Sequence, residues 1–320
     1  MEINYYNVII IGSGPAGCSA AIYAARSGLK TAMICGNAPG GQLTITTDVE
    51  NYPGFKHILG PDLMFNMIEQ CKALAVDIIY EHVEQLIPVN KDNIEQPNNI
   101  KFLLKTFNEY YAEAIILATG ASAKWLGLPN ETKLRQNGGV SGCATCDGMF
   151  YKNKEVAVIG GGNSAAEEAL FLANLASKVY IVHRKDKMRC EQILFDRILK
   201  NPKIHIIWNS IVEDMLSGED NKLSYLLLKD IISNKTQELK VEGAFIAIGH
   251  TPNSQLVSKL INIDSEGYII TEPNSTKTSM PGIFAAGDVQ DKVFRQAITA
   301  AGTGCMAALE ALKFIENNKN

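Results

Sequence analysis

The chain has 320 residues, 46% hydrophobic and 20% charged, with a formal net charge of −4 and a pI near 5.8. That length exceeds one ordinary core and points to two domains of a folded globular protein, and the mild acidity argues against a nucleic-acid binder, which needs a basic face. No run approaches the ~18 apolar residues of a membrane span, the start MEINYYNVII lacks a signal peptide's basic head, and seven cysteines do not make a secreted disulfide framework. The expected compartment is the cytoplasm, without membrane attachment.

The apolar run NVIIIG (7–12) reads as a buried parallel strand, covered on both faces. It leads through GSGPAG into a helix of small and apolar residues ending at Gly28, and a second strand follows at 31–36. The same grammar returns downstream: strand 155–160, the loop GGGNSA, the helical AAEEALFLANLA, then strand 178–184. Two βαβ units of one type imply an α/β fold with two doubly wound, Rossmann-like dinucleotide-binding domains. Between them lies the strand EAIILATGA (113–121), and after the second comes GAFIAIGHTPN (243–253). These read as crossings between domains, so that 121–250 is expected to be inserted into a first domain made of 1–120 and 251–320. Stretches 88–101 and 216–222, rich in Asn, Lys and Asp, read as hairpin loops.

Gly12, Gly14 and Gly17 have the spacing G-x-G-x-x-G. The first permits a tight turn, the second lets a pyrophosphate approach the backbone, and the third lets helix pack on strand, while the helix N-terminus offers free N–H groups to phosphate. The acid expected ~20 residues on, for the ribose hydroxyls, is missing; that neighbourhood reads ICGNAPGGQ. The second loop supplies Gly160, Gly162 and Ala165, and past the next strand the acid is replaced by His183, Arg184 and Lys185, with Arg189 close behind. Cations at that strand end suit a 2′-phosphate, which favours NADPH over NADH; a solvated basic turn is the plainer alternative. Two such sites suggest a flavin beside a nicotinamide. The Gly-rich stretch 36–43 and AAGDV (285–289), which places Asp288 after a strand, then suit FAD, Asp288 as an acceptor for ribityl hydroxyls.

Residues 141–150 read SGCATCDGMF. Cys143 and Cys146 admit three readings. Structural zinc wants four ligands, yet the other cysteines stand singly and no His pair is spaced for metal. An inert disulfide is rare in the cytoplasm. A redox pair, one thiolate attacking a partner disulfide and the other resolving the adduct, fits best. Asp147 would then exchange protons with a thiolate, its plainer role being a turn or cap acid. No metal is expected.

The set GSGPAG, GGQLT, ENYPG, ATGA, CATCDG, GGGNSA, HRKDKMR, AIGHTPN and FAAGDVQD resembles the bacterial low-molecular-weight thioredoxin reductases from end to end of the chain, only loosely at 90–110 and 253–275. The resemblance implies a cytoplasmic homodimeric flavoenzyme that passes electrons from NADPH to FAD, to the Cys143–Cys146 disulfide and to thioredoxin. It implies that Cys146 faces the flavin, Cys143 exchanges with thioredoxin and Asp147 is the acid. It places FAD against Gly12, Ser13, Gly14, Pro15, Ala16 and Gly17; against Cys35, Gly36, Asn37, Ala38, Pro39, Gly40, Gly41 and Gln42; against Asn51, Val83, Ala118, Thr119 and Gly120; and against Gly287, Asp288, Val289, Arg295, Gln296 and Ala297. NADPH falls to Gly160, Gly162, Asn163, Ser164 and Glu167, then His183, Arg184, Lys185 and Arg189. The missing ribose acid is shared with that family.

Two other functions compete. A reductase serving a peroxiredoxin-type partner is expected to carry an additional thioredoxin-like domain ahead of the flavin domain, whereas this sequence starts at the first strand. A non-catalytic flavin-binding sensor would not need the cysteine pair, the acid and the cations together. Flavin, nicotinamide and disulfide must all meet in turn, so a rotation of the NADPH domain about the crossings at 120–125 and 247–252 is expected in each cycle.

Overall fold

The computed structural model describes residues 4–36, 38–45, 48–89 and 100–318. Asn37 and most of the expected loop at 88–101, residues 90–99, lie outside the described residues. The chain divides into two compact units, 1–122 with 251–320, and 123–250.

In the first unit the strand Asn4–Ile11 runs parallel to Thr31–Ile34 on one side and to Glu109–Leu117 on the other, and Asp77–Ile79 extends the sheet beyond Thr31–Ile34. Val8, Ile9 and Ile10 expose nothing, as a strand covered on both faces requires. The long strand Glu109–Leu117 has a divided far edge. Its first half pairs antiparallel with Phe102–Lys105, which in turn pairs with Gln85–Pro88; its last three residues pair parallel with Ile283–Ala285. Five parallel strands therefore end together at Ile11, Ile34, Ile79, Leu117 and Ala285.

The helices Pro15–Arg26 and Ala297–Asn317 cross on one face of this sheet. Their approach is set by small residues: a β-carbon on Gly304 would lie 2.1 Å from the Ala16 carbonyl oxygen. Among the described residues, one helix, the last, bears on the expected absence of a membrane span. Over 18 residues its mean hydropathy reaches 1.3, enough by length and composition for a membrane span. Its apolarity has a cause inside the unit, because Ala300, Ala301, Gly304, Ala307, Ala308, Ala311 and Ile315 form its buried face.

In the second unit the sheet order is Val140–Ser141, Gly243–Ala247, Glu155–Gly160, Lys178–Val182, Ile204–Ile207, all parallel. A three-stranded antiparallel sheet, Ser210–Ser217, Leu223–Asp230 and Thr236–Lys240, is added to it in sequence. The expected loop at 216–222 is the first turn of that sheet. At the unit boundary, Ala121–Ala123 and His250–Pro252 are short strands hydrogen-bonded to each other, and the glycines beside them, Gly120 and Gly249, have φ of +69° and +104°.

Candidate active site

In the first unit, the stretches singled out for FAD follow the carboxyl ends of the parallel strands, where open α/β sheets bind ligands. Gly12–Gly17 follows Ile11, Cys35–Gln42 follows Ile34, Val83 lies past Ile79, Ala118–Gly120 follows Leu117, and Gly287–Val289 lies just past Ala285. The three glycines of the first loop have distinct environments. Gly12 has φ +109°, and a β-carbon there would lie 2.2 Å from the Ala118 carbonyl oxygen; one on Gly17 would lie 1.9 Å from the Gly12 carbonyl oxygen. Gly14 has nothing closer than 4.0 Å, so its backbone stands open. Gly14 also caps the helix Pro15–Arg26 with no side-chain bond, leaving first-turn N–H groups to a phosphate.

The neighbouring loops are tied to this one. Gly40 N–H donates to Ser13 Oγ at 2.9 Å. Thr119 Oγ1 donates to the Asn253 carbonyl at 2.7 Å, and Asn253 Nδ2 returns a bond to the Thr119 carbonyl at 2.9 Å. Gly287 N–H donates to Thr303 Oγ1 at 2.9 Å, which fixes Asp288 to the last helix. Asn51 Nδ2 donates to Gln296 Oε1 at 3.4 Å, so two distant residues of the expected flavin set meet; Gln296 also caps the helix that begins at Ala297. Arg295 has φ +47° and donates from Nη1 to the Lys292 carbonyl. The side chain of Val83 is buried in the core.

Burial first, and then the charge of Asp291, push the Asp288 carboxyl up to about 6, against a smaller opposing effect of Arg295. The sign follows from proton counts. Between about pH 4 and 6 the folded chain holds a proton that the unfolded chain has released, so stability falls as pH rises through this window. The loss, complete above pH 6, is about 3 kcal/mol for a shift of about two units. In flavin-free protein, Asp288→Asn is therefore expected to raise stability at pH 8 by up to about 3 kcal/mol and to remove that part of the slope between pH 4 and 6. Denaturant melts of both proteins at pH 5 and 8 check this; identical pH slopes would refute it.

The second unit repeats the plan. A β-carbon on Gly160 would meet the Ala247 carbonyl oxygen at 2.4 Å, whereas Gly162 has nothing within 4 Å and caps the helix Asn163–Ala173 without a side-chain bond. Asn163 is tied to the following segment: its Oδ1 accepts from Glu191 N–H at 2.9 Å and its Nδ2 donates to Glu191 Oε1 at 3.2 Å. Ser164 is half-buried and Glu167 exposed on the same helix. Arg189 N–H donates to the Gly161 carbonyl at 2.6 Å. Arg184, Lys185 and Arg189 are exposed cations on a backbone so fastened.

His183 differs from them. It is 6% exposed, its Nε2 bonds with the Lys187 carbonyl at 3.1 Å, and its ring occupies the place of a side chain on Gly161, 2.1 Å from a β-carbon placed there. Burial, chiefly, holds its pKa below the ordinary value, which favours the neutral ring. The cations of this segment are thus Arg184, Lys185, Lys187 and Arg189, with Asp186 among them, while His183 packs under the glycine loop. The sequence carried the signal: the motif needs Gly160 and Gly162, and the intervening Gly161 is surplus to it.

Cys143 and Cys146 form a disulfide with Cα atoms 5.3 Å apart. It follows the strand Val140–Ser141, on the same sheet edge as the Gly160 loop and separated from it by one strand. Cys143 precedes the short helix Ala144–Asp147 and its Sγ accepts from Cys146 N–H at 3.2 Å, while Asp147 stands at the N-cap position of the 3-10 turn Gly148–Tyr151 without a side-chain cap bond. Both sulfurs belong to half-buried residues, while Met149 and Phe150, two and three residues past Asp147, are 56% and 42% exposed. Tyr151 lies one turn beyond Asp147, accepts from Gly139 N–H at 3.1 Å, and is pushed up to about 12 by burial and then by the Asp147 charge. It stays protonated beside the acid.

Residues 6–304 match the family model of the pyridine nucleotide-disulphide oxidoreductases. A thioredoxin reductase of Rickettsia typhi is 52% identical over 310 residues, covering 96% of this chain and 97% of the relative. The crystal structure of thioredoxin reductase from Streptococcus pyogenes superposes with a TM-score of 0.90 at 41% identity, covering 99% of this chain and 100% of that one. A protein of Pseudomonas fluorescens named glucosaminate ammonia-lyase is 44% identical, covering 100% of this chain and 99% of the relative.

Proposed function

The chain belongs to the pyridine nucleotide-disulphide oxidoreductase family, and we propose that within it this protein is the NADPH-dependent flavoprotein that reduces thioredoxin. The observation that carries the reading is the Cys143–Cys146 disulfide on one sheet edge with a dinucleotide loop, followed at once by an acid. FAD and NADPH are the cofactors. The first unit, read as a discontinuous FAD domain of 1–120 and 251–320, holds the flavin through the Gly12–Gly17 loop, the 35–42 stretch and Asp288. The second, read as an inserted NADPH domain of 121–250, holds the nicotinamide dinucleotide through Gly162 and the helix after it, with Arg184, Lys185 and Arg189 on the 2′-phosphate. Bound there, the flavin supplies a relay from a two-electron hydride donor to a disulfide.

The remaining chemistry belongs to side chains. Reduced, the pair holds two thiols. The Cys143 thiolate attacks the thioredoxin disulfide, forming a mixed disulfide and releasing one thioredoxin thiolate; the Cys146 thiolate then attacks Cys143 Sγ, releasing the second and restoring the Cys143–Cys146 disulfide. Two electrons leave in all. Asp147 takes the proton of the attacking thiol and returns it to the leaving one. Exposed Met149 and Phe150 give a protein substrate apolar surface beside the pair. Rotation of the NADPH domain about the paired strands Ala121–Ala123 and His250–Pro252 is the proposed means by which the pair reaches both flavin and thioredoxin.

We place the enzyme in the cytoplasm, since Cys18, Cys35, Cys71, Cys190 and Cys305 are free thiols. A homodimer with no nucleic-acid or membrane partner is proposed, on the resemblance and on the mildly acidic net charge of −4. Ammonia release from an amino sugar has no use for a disulfide pair, so the reductase reading is preferred. Assaying NADPH oxidation with thioredoxin, and ammonia release with glucosaminate, separates the two. Thioredoxin-dependent oxidation supports the proposal; ammonia release without it overturns the proposal. In the same assay Arg184→Ala is expected to raise the KM for NADPH roughly ten- to a hundredfold, the worth of a charge-assisted bond, and to leave that for NADH nearly unchanged. Equal losses would remove Arg184 from the 2′-phosphate.

A further inference from the structure

Just past the first crossing strand stands a cluster that the electron path does not use. Glu131 is 3% exposed, and its carboxylate accepts from the backbone N–H groups of Leu126, Gly127 and Leu128 at 3.0, 2.7 and 3.4 Å. A buried carboxylate with three such bonds fixes the turn that follows Trp125. Arg135, one helical turn beyond Glu131, sets its guanidinium 3.6 Å from the centre of the Trp125 ring. The indole is thus held on one face by a cation and at its backbone by a pinned turn.

The far edge of the indole reaches Gly142. A β-carbon on Gly142 would lie 3.2 Å from Trp125 Cη2 and 3.6 Å from both Trp125 Cζ2 and Ala123 Cβ. Gly142 immediately precedes Cys143, whose N–H donates to Ser141 Oγ at 3.0 Å, and Ser141 is 6% exposed. The disulfide segment therefore enters between a serine clamp and the tryptophan edge. On its other side Trp125 follows Lys124, whose N–H donates to the Gly249 carbonyl at the start of the second crossing. The Trp125 side chain thus reaches the redox segment from the stretch whose backbone, at Lys124, is bonded to the second crossing.

We propose that Trp125 is a positioning residue for the redox pair, seating Gly142 so that the Cys143 and Cys146 sulfurs are held at bonding distance, and that Gly142 is glycine because the indole edge fills the space of a side chain. The proposal rests on the redox reading of the pair. Two thiols held in register have a high effective concentration toward each other, which favours the disulfide. Loosening the seat by shrinking the indole, or displacing it with a methyl group, makes the pair easier to reduce. Combining the two changes lets the methyl occupy the vacated edge, so the effects oppose each other.

The test equilibrates the FAD-loaded enzyme with dithiothreitol and reads the Cys143–Cys146 dithiol by alkylation and mass, which requires neither NADPH nor thioredoxin. Trp125→Phe and Gly142→Ala are each expected to shift the equilibrium toward dithiol three- to tenfold, the upper figure being about 30 mV for a two-electron couple. The double variant is expected to return to within about twofold of the parent. Should Trp125→Phe fail to fold, Trp125→Tyr serves in its place. Single variants that lower the melting temperature but leave the equilibrium where it was, or a double variant whose shift is the sum of the two, would overturn the proposal. A parent pair that dithiothreitol and an oxidant cannot cycle would instead sink the redox reading itself.

Discussion

Serine in place of Cys143 is expected to abolish NADPH-driven reduction of thioredoxin while NADPH still bleaches the flavin at the parental rate. The exchange step needs a thiolate, and a serine hydroxyl at neutral pH is neither ionised nor able to form the mixed disulfide. Hydride delivery to the flavin requires only the two dinucleotide sites, whose loops stand on other segments than 143–146. The loss should therefore be complete in steady-state turnover and absent from a stopped-flow trace of flavin reduction. The fold should be unharmed, because Cys143 is half-buried and the disulfide that the change removes is one the proposed cycle opens at every turnover. Full turnover in this variant would make the pair structural. Loss of flavin reduction as well would mean that the thiol also holds the cofactor sites in place.

The second large effect concerns the flavin loop. Alanine at Gly17 would place a methyl carbon 1.9 Å from the Gly12 carbonyl oxygen and 2.8 Å from its carbon, both backbone atoms in a turn that itself needs φ +109° at Gly12. Neither partner has a flexible end to move. The cost belongs in the uncommon class of large single-residue effects, on the order of 4 kcal/mol. Gly17→Ala should be isolated without flavin and with a lowered melting temperature. Gly14→Ala has nothing closer than 4.0 Å to meet, so it should fold as well as flavin-free parent protein and, if the loop holds the dinucleotide as proposed, still fail to bind FAD, because the second glycine of such a loop is the one that lets a pyrophosphate approach the backbone. Flavin absorbance per chain and thermal melts of the two variants separate the roles. Both variants retaining flavin would remove the loop from the FAD site.

The sequence could be read this far because its strongest signals are local. A glycine that must lie under a carbonyl, as Gly12 and Gly17 do, leaves a spacing in the text, and a strand buried on both faces leaves an unbroken apolar run such as NVIII. The cysteine pair is legible for the same reason. What stayed hidden depends on which distant residues meet. His183 stands among arginines and lysines and was grouped with them, although its ring packs under Gly161. The divided edge of Glu109–Leu117 joins strands near residues 102 and 283, a pairing no local pattern records. The three strands between 210 and 240 betrayed only their first turn. The helix Ala297–Asn317 carries small apolar residues to meet another helix, which a hydropathy reading cannot tell from residues chosen to meet lipid.

The central claim is that electrons leave this protein through Cys143 to a thioredoxin disulfide, with Cys146 as the resolving thiol. Holoenzyme carrying Cys146→Ser has no resolving thiol, so its reduced Cys143 should attack oxidised thioredoxin and stop at the mixed disulfide. Mass spectrometry of the non-reduced mixture, followed by peptide mapping, identifies the product. The account predicts one thioredoxin per chain bonded to Cys143 and released by dithiothreitol. An adduct that forms with Cys143→Ser through Cys146 instead, or no adduct with either variant while the parent turns over thioredoxin, would contradict it.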